Sequence, residues 1–437
     1  MTTKIGLRLE DKNEWERRVA LTPAAVKRLS QDGVDIHVQR FSRRAFSDAD
    51  YERAGANLVD DVFDCDLVLG IKEMPLDVFR DFGAYMFFSH TIKGQPHNMK
   101  MLAELVGKRC TLLDYETVVN EKKQRLIFFG RFAGIAGAVD TIWTLGRRLE
   151  ALGAKTPFSE VQQCNQYADL GAVKQAIRLV GDRIASEALP SFMAPVVIGI
   201  TGYGHVSQGA QEIVDLLPHV ELSPSELPAF VAANSSLTEK VIKVVYSEQD
   251  LVEPVDHSRP FDLQDYYDHG ETYQSKFGPN LELLTVLING IYWDDRYPKL
   301  ADRDQIRDLF VKGQSPRLLV VGDITCDVDG SLACTVRDTD SGDPTYVYDP
   351  ETRVPTSGFE GPGLAVMAVG NLPCELPREA SETFSEALMP FMRQIAAADW
   401  HQSDFNKVSL PEPIKRSVIL WRGEFTADYE YMDSYLK

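Results

Sequence analysis

A chain of 437 residues is long enough for two domains, and with 44% hydrophobic and 25% charged residues it has an ordinary globular composition that excludes global disorder. A net charge of −19 excludes a nucleic-acid binder and argues against docking on an anionic membrane, so an anionic substrate would need local cations to hold it. The six cysteines, Cys65, Cys110, Cys164, Cys326, Cys334 and Cys374, are sparse and show no C-x-x-C spacing; neither a disulfide framework nor a metal site is expected. The first residues carry no apolar signal region, and no apolar run reaches about 18 residues. The expectation is a soluble cytoplasmic protein with no membrane or nucleic-acid partner.

In chain order, Ile5 to Arg8 reads as a short strand, and Thr22 followed by Pro23 reads as an N-cap and first helical position. Ala25, Val26 and Leu29 continue that helix, and Asp35 to Gln39 forms the next strand. The short apolar segments Asp66 to Ile71 and Tyr85 to Ser89 are predicted buried parallel strands, with Cys110 to Leu113 as a third. Ala133 to Leu152 predicts one long helix stopped at Gly153, and Gly171 to Leu189 a second. Ala194 to Thr201 is an apolar strand. Asp250 to Asn280, acidic and aromatic, reads as a long insertion or lid, and a role in attracting a cationic substrate is weighed against a solvated loop. Leu283 to Trp293 and Arg317 to Ile324 are further buried strands, and Arg378 to Ala398 is a helix. Strands alternating with helices indicate an α/β protein.

The strand ending at Thr201 runs into Gly202-Tyr203-Gly204-His205-Val206-Ser207, and a helix follows. Glycines there let the backbone approach a pyrophosphate while the helix aims free N–H groups at it. The alternative is an ordinary tight strand-to-helix turn. Ser207 stands where a third glycine is usual; it is small enough for helix packing and could donate to a phosphate. About 20 residues on, an acidic residue would mark NAD(H). Glu221 qualifies if it ends the strand; if the strand runs to Leu222, Ser223 takes the position and would tolerate a 2′-phosphate. NADP(H) is put ahead of NAD(H).

Three N-terminal segments could carry chemistry. Glu16-Arg17-Arg18 precedes a helix, Lys72 follows one buried strand, and His90 follows the next. Glu116 follows the third. In a parallel sheet these C-terminal strand ends share one crevice, so Lys72 and His90 should emerge together. Singly, each has a bland reading as a solvated or structural group.

The segments EDKNEWERRVALTP, FFSHTIKGQ, FAGIAGA, TGYGHVSQGAQ, LINGIYW, GDITCDVDGS and NLPCELPREASE resemble the lysine–2-oxoglutarate reductase half of bifunctional aminoadipate semialdehyde synthase. More distantly, the chain resembles fungal lysine-forming saccharopine dehydrogenase and the alanine dehydrogenase/transhydrogenase group. The resemblance runs nearly end to end and implies two Rossmann-like doubly wound α/β domains with the active site in the interdomain cleft. Residues 1–132 plus 372–437 would bind substrate, and residues 133–371 the dinucleotide. It implies Lys72 and His90 as acid–base residues, Arg18 as holder of a substrate carboxylate, Glu16 and Glu116 as acids tuning the lysine, and Asp323 near the nicotinamide. Arg125 is a second carboxylate candidate, although Gln124-Arg125 offers one arginine where the fungal members carry a pair. Gly202, Gly204, His205, Val206, Ser207, Glu221, Ser223 and Asp323 are thus the cofactor-binding candidates.

The implied reaction joins L-lysine to 2-oxoglutarate with NAD(P)H and gives saccharopine. The second, saccharopine-oxidising half is expected to be a separate enzyme, and the oligomeric state is left open. The alternatives are an alanine dehydrogenase, another opine-forming enzyme, and a nucleotide-binding relative without catalysis.

Overall fold

The computed structural model describes residues 3–311 and 316–437. The chain divides into two compact units, 1–129 with 377–437 and 130–376. Each is built on its own eight-stranded sheet.

In the first unit the strand order is Glu424–Phe425, Val418–Trp421, Thr111–Asp114, Ala84–Phe87, Leu67–Leu69, Lys4–Leu7, Asp35–Gln39, Asn57–Val59. All neighbours are parallel except the C-terminal hairpin, which closes one edge antiparallel against Thr111–Asp114. The central strands are buried throughout because both faces are covered. One face packs Val26, Leu29, Phe384, Leu388 and Met392 from helices Pro23–Gln31 and Pro377–Ala397. The other takes Phe79, Leu102 and Leu105. Helix Pro23–Gln31 starts as its sequence predicts: Thr22 accepts from the Ala25 N–H and Pro23 fills the first turn. That cap contributes about 1 kcal/mol.

In the second unit the order is Pro355–Ser357, Thr345–Tyr348, Leu364–Met367, Val320–Asp323, Val286–Asn289, Val196–Thr201, Val241–Tyr246, His219–Leu222. The strand from Val196 to Thr201 therefore lies between Val286–Asn289 and Val241–Tyr246, not beside the strand that follows it in sequence. The segment expected as a lid is instead packed. It forms a small antiparallel ribbon, Val252–Pro254 with Tyr273–Ser275, and buries Tyr266, Tyr273 and Phe277 in the core of this unit. These three aromatics face inward while Tyr267, Asp262 and Asp268 stay exposed, which a charge count along the segment does not separate.

The long helix runs Gly130–Ala151, three residues earlier than its apolar pattern indicates, and stops at Gly153 in the left-handed region with φ +84°. It crosses helix His205–Val214 at backbone distance. A methyl group on Gly134 would collide with the Val206 carbonyl oxygen, and one on Gly209 with the Arg131 carbonyl oxygen. Arg131 also forks onto Glu212 across the same contact, at 2.9 and 2.8 Å.

Gly134→Ala and Gly209→Ala should each lower the stability of this unit by about 1–3 kcal/mol through backbone overpacking. Gly107→Ala, with open space around its Cβ, should be near neutral. Urea midpoints of the three variants check this; equal midpoints would show that the helices yield.

Candidate active site

Two neighbouring strands of the first unit carry the reactive candidates. Leu67–Leu69 and Ala84–Phe87 run parallel, and their pairing continues past the strand ends: Gly70 N donates to Met86 O and Phe88 N to Ile71 O, each at 3.0 Å. This ladder delivers Lys72 and His90 to the same sheet edge.

Glu73 joins the group between them. Its Oε1 lies 2.7 Å from His90 Nδ1, and its Oε2 accepts from Lys12 Nζ at 2.6 Å. Burial would raise the Glu73 carboxyl, but the His90 hydrogen bond and the His90 and Lys12 charges outweigh it and hold the group well below the ordinary carboxylate range. An ionised Glu73 is an acceptor only, so His90 Nδ1 carries the proton, and Nε2 is the nitrogen that can take one from a substrate. His90 sits at φ +49°, a conformation that bulky residues seldom adopt. Asn98 Nδ2 holds its carbonyl at 3.2 Å. Beside it, Ser89 donates from both N and Oγ to buried Asp114, whose carboxyl burial pushes up to about 6 against those hydrogen bonds.

Burial pulls the Lys72 ammonium below its ordinary range, and the Arg18 charge pulls the same way; Glu16 and Glu73 oppose them. Arg18 is 2% exposed and forks onto fully buried Glu16, Nε to Oε1 at 2.8 Å and Nη2 to Oε2 at 2.6 Å. Its guanidinium lies 4.2 Å above the Phe129 ring, which stacks on Phe384 at 4.7 Å. Helix Pro377–Ala397 anchors this stretch: Val19 N donates to Ser381 Oγ at 2.9 Å and Thr22 N to Ser385 Oγ at 3.1 Å.

Glu16 holds Arg18, and its charge opposes the lowering of Lys72. Glu116 pairs with Arg125. Sequence reasoning missed Lys12, Glu73 and Glu10. Glu10 accepts the backbone N–H of Ile71 at 2.6 Å and of Lys72 at 3.1 Å, so it fixes the turn that presents the lysine. Burial, then the charge of Glu16, push its carboxyl up to about 8 against those hydrogen bonds and Arg8. The adjacency in Lys72-Glu73 and the acids in RLEDK were the available signals.

In the second unit, Gly202 adopts φ +84°, and a Cβ at Gly204 would meet open space. The helix opens at His205 with no side-chain cap on its first turn. Residues Gly202 to Val206 thus form a cradle that fits a pyrophosphate. Ser207 is buried, and its Oγ accepts from Gln211 at 3.1 Å, so it serves the helix packing. Glu221 sits on the edge strand, which runs on to Leu222, and its carboxylate accepts from Lys243 Nζ at 3.2 Å. Lys243 also donates to Asp215 at 2.6 Å, so a cation already occupies the Asp215, His219, Glu221 cluster. Ser223 follows that edge strand and donates to Glu226. Asp323 is buried and ties strand ends together, accepting from Asn289 and Thr325 at 2.9 and 2.7 Å and from Thr335. Burial raises its carboxyl, with these hydrogen bonds opposing.

Residues 6–136 match the alanine dehydrogenase/PNT N-terminal domain, and residues 285–428 the C-terminal domain. The chain belongs to the alanine dehydrogenase/PNT family. It is 39% identical to the alpha-aminoadipic semialdehyde synthase of Arabidopsis thaliana over 98% of this chain and 41% of that protein. It is 33% identical to the mitochondrial alpha-aminoadipic semialdehyde synthase of Bos taurus over 98% of this chain and 47% of that one. The chain thus spans somewhat under half the length of these relatives. The saccharopine dehydrogenase [NAD(+), L-lysine-forming] of Emericella nidulans is 27% identical over 94% of this chain and 99% of its own. Among solved structures, an L-alanine dehydrogenase superposes over 100% of both chains with a TM-score of 0.62 at 18% identity, which shows the shared fold.

Glu10 has a pH signature. Its folded-state value of about 8 lies above the ordinary 4.5, so the stability it lends is complete below 4.5 and is lost as pH rises through 8. Glu10→Gln should flatten that loss. Urea unfolding at pH 5 and 9 checks it: a difference between wild type and variant that does not change with pH would show Glu10 ionised throughout.

Proposed function

We propose that this chain catalyses the NAD(P)H-dependent reductive condensation of L-lysine with 2-oxoglutarate to saccharopine. The chemistry rests on one observation: Lys72 and His90 sit on adjacent strand ends with Glu73 hydrogen-bonded to His90 and charge-coupled to Lys72. The substrates rest on the named activities of the relatives. The first unit would bind lysine and 2-oxoglutarate, and the second the dinucleotide.

Condensation needs the lysine ε-amine neutral, and the carbinolamine must lose water before reduction. A half-buried Lys72, its amine favoured by desolvation and by Arg18, can take a proton and return it. His90 Nε2, its tautomer set by Glu73, is the second exchange site. Arg18, oriented by Glu16, is the candidate for one carboxylate of 2-oxoglutarate, and Arg125, oriented by Glu116, for the other. Bound at the Gly202-Tyr203-Gly204 turn, the dinucleotide supplies the hydride.

Ser223, the candidate that would tolerate a 2′-phosphate, follows the edge strand and so lends NADP(H) no support. No helix among the described residues is long and apolar enough to cross a membrane.

Oxidation of reduced cofactor should require both lysine and 2-oxoglutarate. Lys72→Met and His90→Ala should each lower kcat by ~10²- to 10⁴-fold with dinucleotide affinity retained. Full rate in Lys72→Met would remove it from the chemistry. Turnover with pyruvate and ammonia, and none with lysine, would move the chain to alanine dehydrogenase activity.

A further inference from the structure

In a doubly wound sheet the pyrophosphate sits at the turn after the first strand, and the adenosine ribose lies over the end of the strand beside it. That neighbour is usually the next strand in sequence. Here Val241–Tyr246 takes the place, and His219–Leu222 is displaced to the edge. The register is direct: Thr201 pairs with Tyr246, and Gly202 N donates to Tyr246 O at 2.8 Å. The residues that emerge beside the glycine turn are therefore Ser247 and Glu248. Ser223 leaves the sheet two strand spacings away, about 10 Å.

Ser247 is already engaged: its N and Oγ both donate to Asp250, at 2.9 and 2.6 Å. Glu248 is half-buried and held from the other side, where Tyr267 Oη donates to its Oε1 at 2.9 Å. Tyr267 also lies within electrostatic reach of Tyr203, the middle residue of the glycine turn. The acidic, aromatic segment thus has a use: its tyrosine holds a carboxylate beside the phosphate turn. The stretch from Tyr246 to Leu251 contains Glu248 and Asp250 and neither lysine nor arginine.

We propose that Glu248 accepts the adenosine ribose hydroxyls and makes this chain selective for NAD(H) over NADP(H). This rests on the dinucleotide-binding reading of the second unit. A ribose 2′-hydroxyl donates to a carboxylate; a 2′-phosphate carries close to two negative charges and would face Glu248 and Asp250 with no cation from this segment. Tyr267 fixes the carboxylate in advance, so little side-chain freedom is lost on binding.

The test is fluorescence titration of the full chain with NADH and with NADPH in the absence of substrates, alongside kcat/KM for both cofactors. NADH should bind more tightly by at least about 10-fold, and Glu248→Gln and Glu248→Ser should each weaken NADH by roughly 10- to 100-fold while leaving NADPH level or improved. Glu248→Gln keeps the side-chain shape, so a folded variant is available for the comparison. Tighter NADPH binding by the wild type, or an unchanged ratio in both Glu248 variants, overturns the proposal. So does a ratio that responds to Ser223→Asp and not to Glu248. Because the titration needs no turnover, NADH selectivity without lysine activity would sustain this inference and defeat the substrate reading; binding of neither dinucleotide would defeat both.

Discussion

Three carboxyl groups, Glu10, Glu16 and Glu73, gather about the half-buried Lys72 and its backbone, and the first unit is arranged to make that tolerable. Like charges at short range in a poorly solvated site repel strongly, so each needs its own remedy. Glu16 is neutralised by a two-point fork with Arg18. Glu73 is shared between His90 and Lys12. Glu10 is relieved by protonation, while the two backbone N–H groups it accepts keep it in place. Lys72 is left between opposed influences, with burial and Arg18 favouring the amine and Glu16 and Glu73 favouring the ammonium. A group so balanced can change protonation state when a charged substrate enters, which a solvated lysine would not do.

In the second unit the decisive constraint is adjacency. The rule that an acidic residue about 20 positions past the glycine turn marks the cofactor is a statement about a neighbouring strand, expressed as a sequence distance. The distance works when consecutive strands are neighbours. Here the strand after the phosphate helix goes to the edge, where Glu221 pairs with Lys243, and the rule applied by counting lands on a residue with a different task. Applied by adjacency it reaches Glu248.

The α/β class, the N-cap at Thr22, the long helix, the glycine turn and the placing of Lys72 and His90 on neighbouring strand ends were all legible, because each depends on local pattern or on the parallel order of adjacent apolar strands. What was not legible depends on long-range placement. Glu10 meets the Lys72 backbone N–H across 62 residues of chain. The aromatic content of residues 250–280 gave no sign that Tyr266, Tyr273 and Phe277 would turn inward, since an alternation broken by short turns has no single period to read. The swapped strand order could not be seen from spacing at all.

The return of the chain end to the first unit has a physical reason in Arg18. A buried guanidinium costs solvation energy that one carboxylate offsets only if the geometry is held. Phe129 and Phe384 form the floor beneath it, and Ser381 and Ser385 accept the backbone N–H groups of Val19 and Thr22 that follow it. Helix Pro377–Ala397 thus contributes both the aromatic support and the hydrogen bonds that keep Arg18 from drifting. Residues 1–129 alone would leave Phe129 without the Phe384 ring it stacks on and the Val19 and Thr22 N–H groups without their acceptors, so the discontinuous domain supports the site it carries.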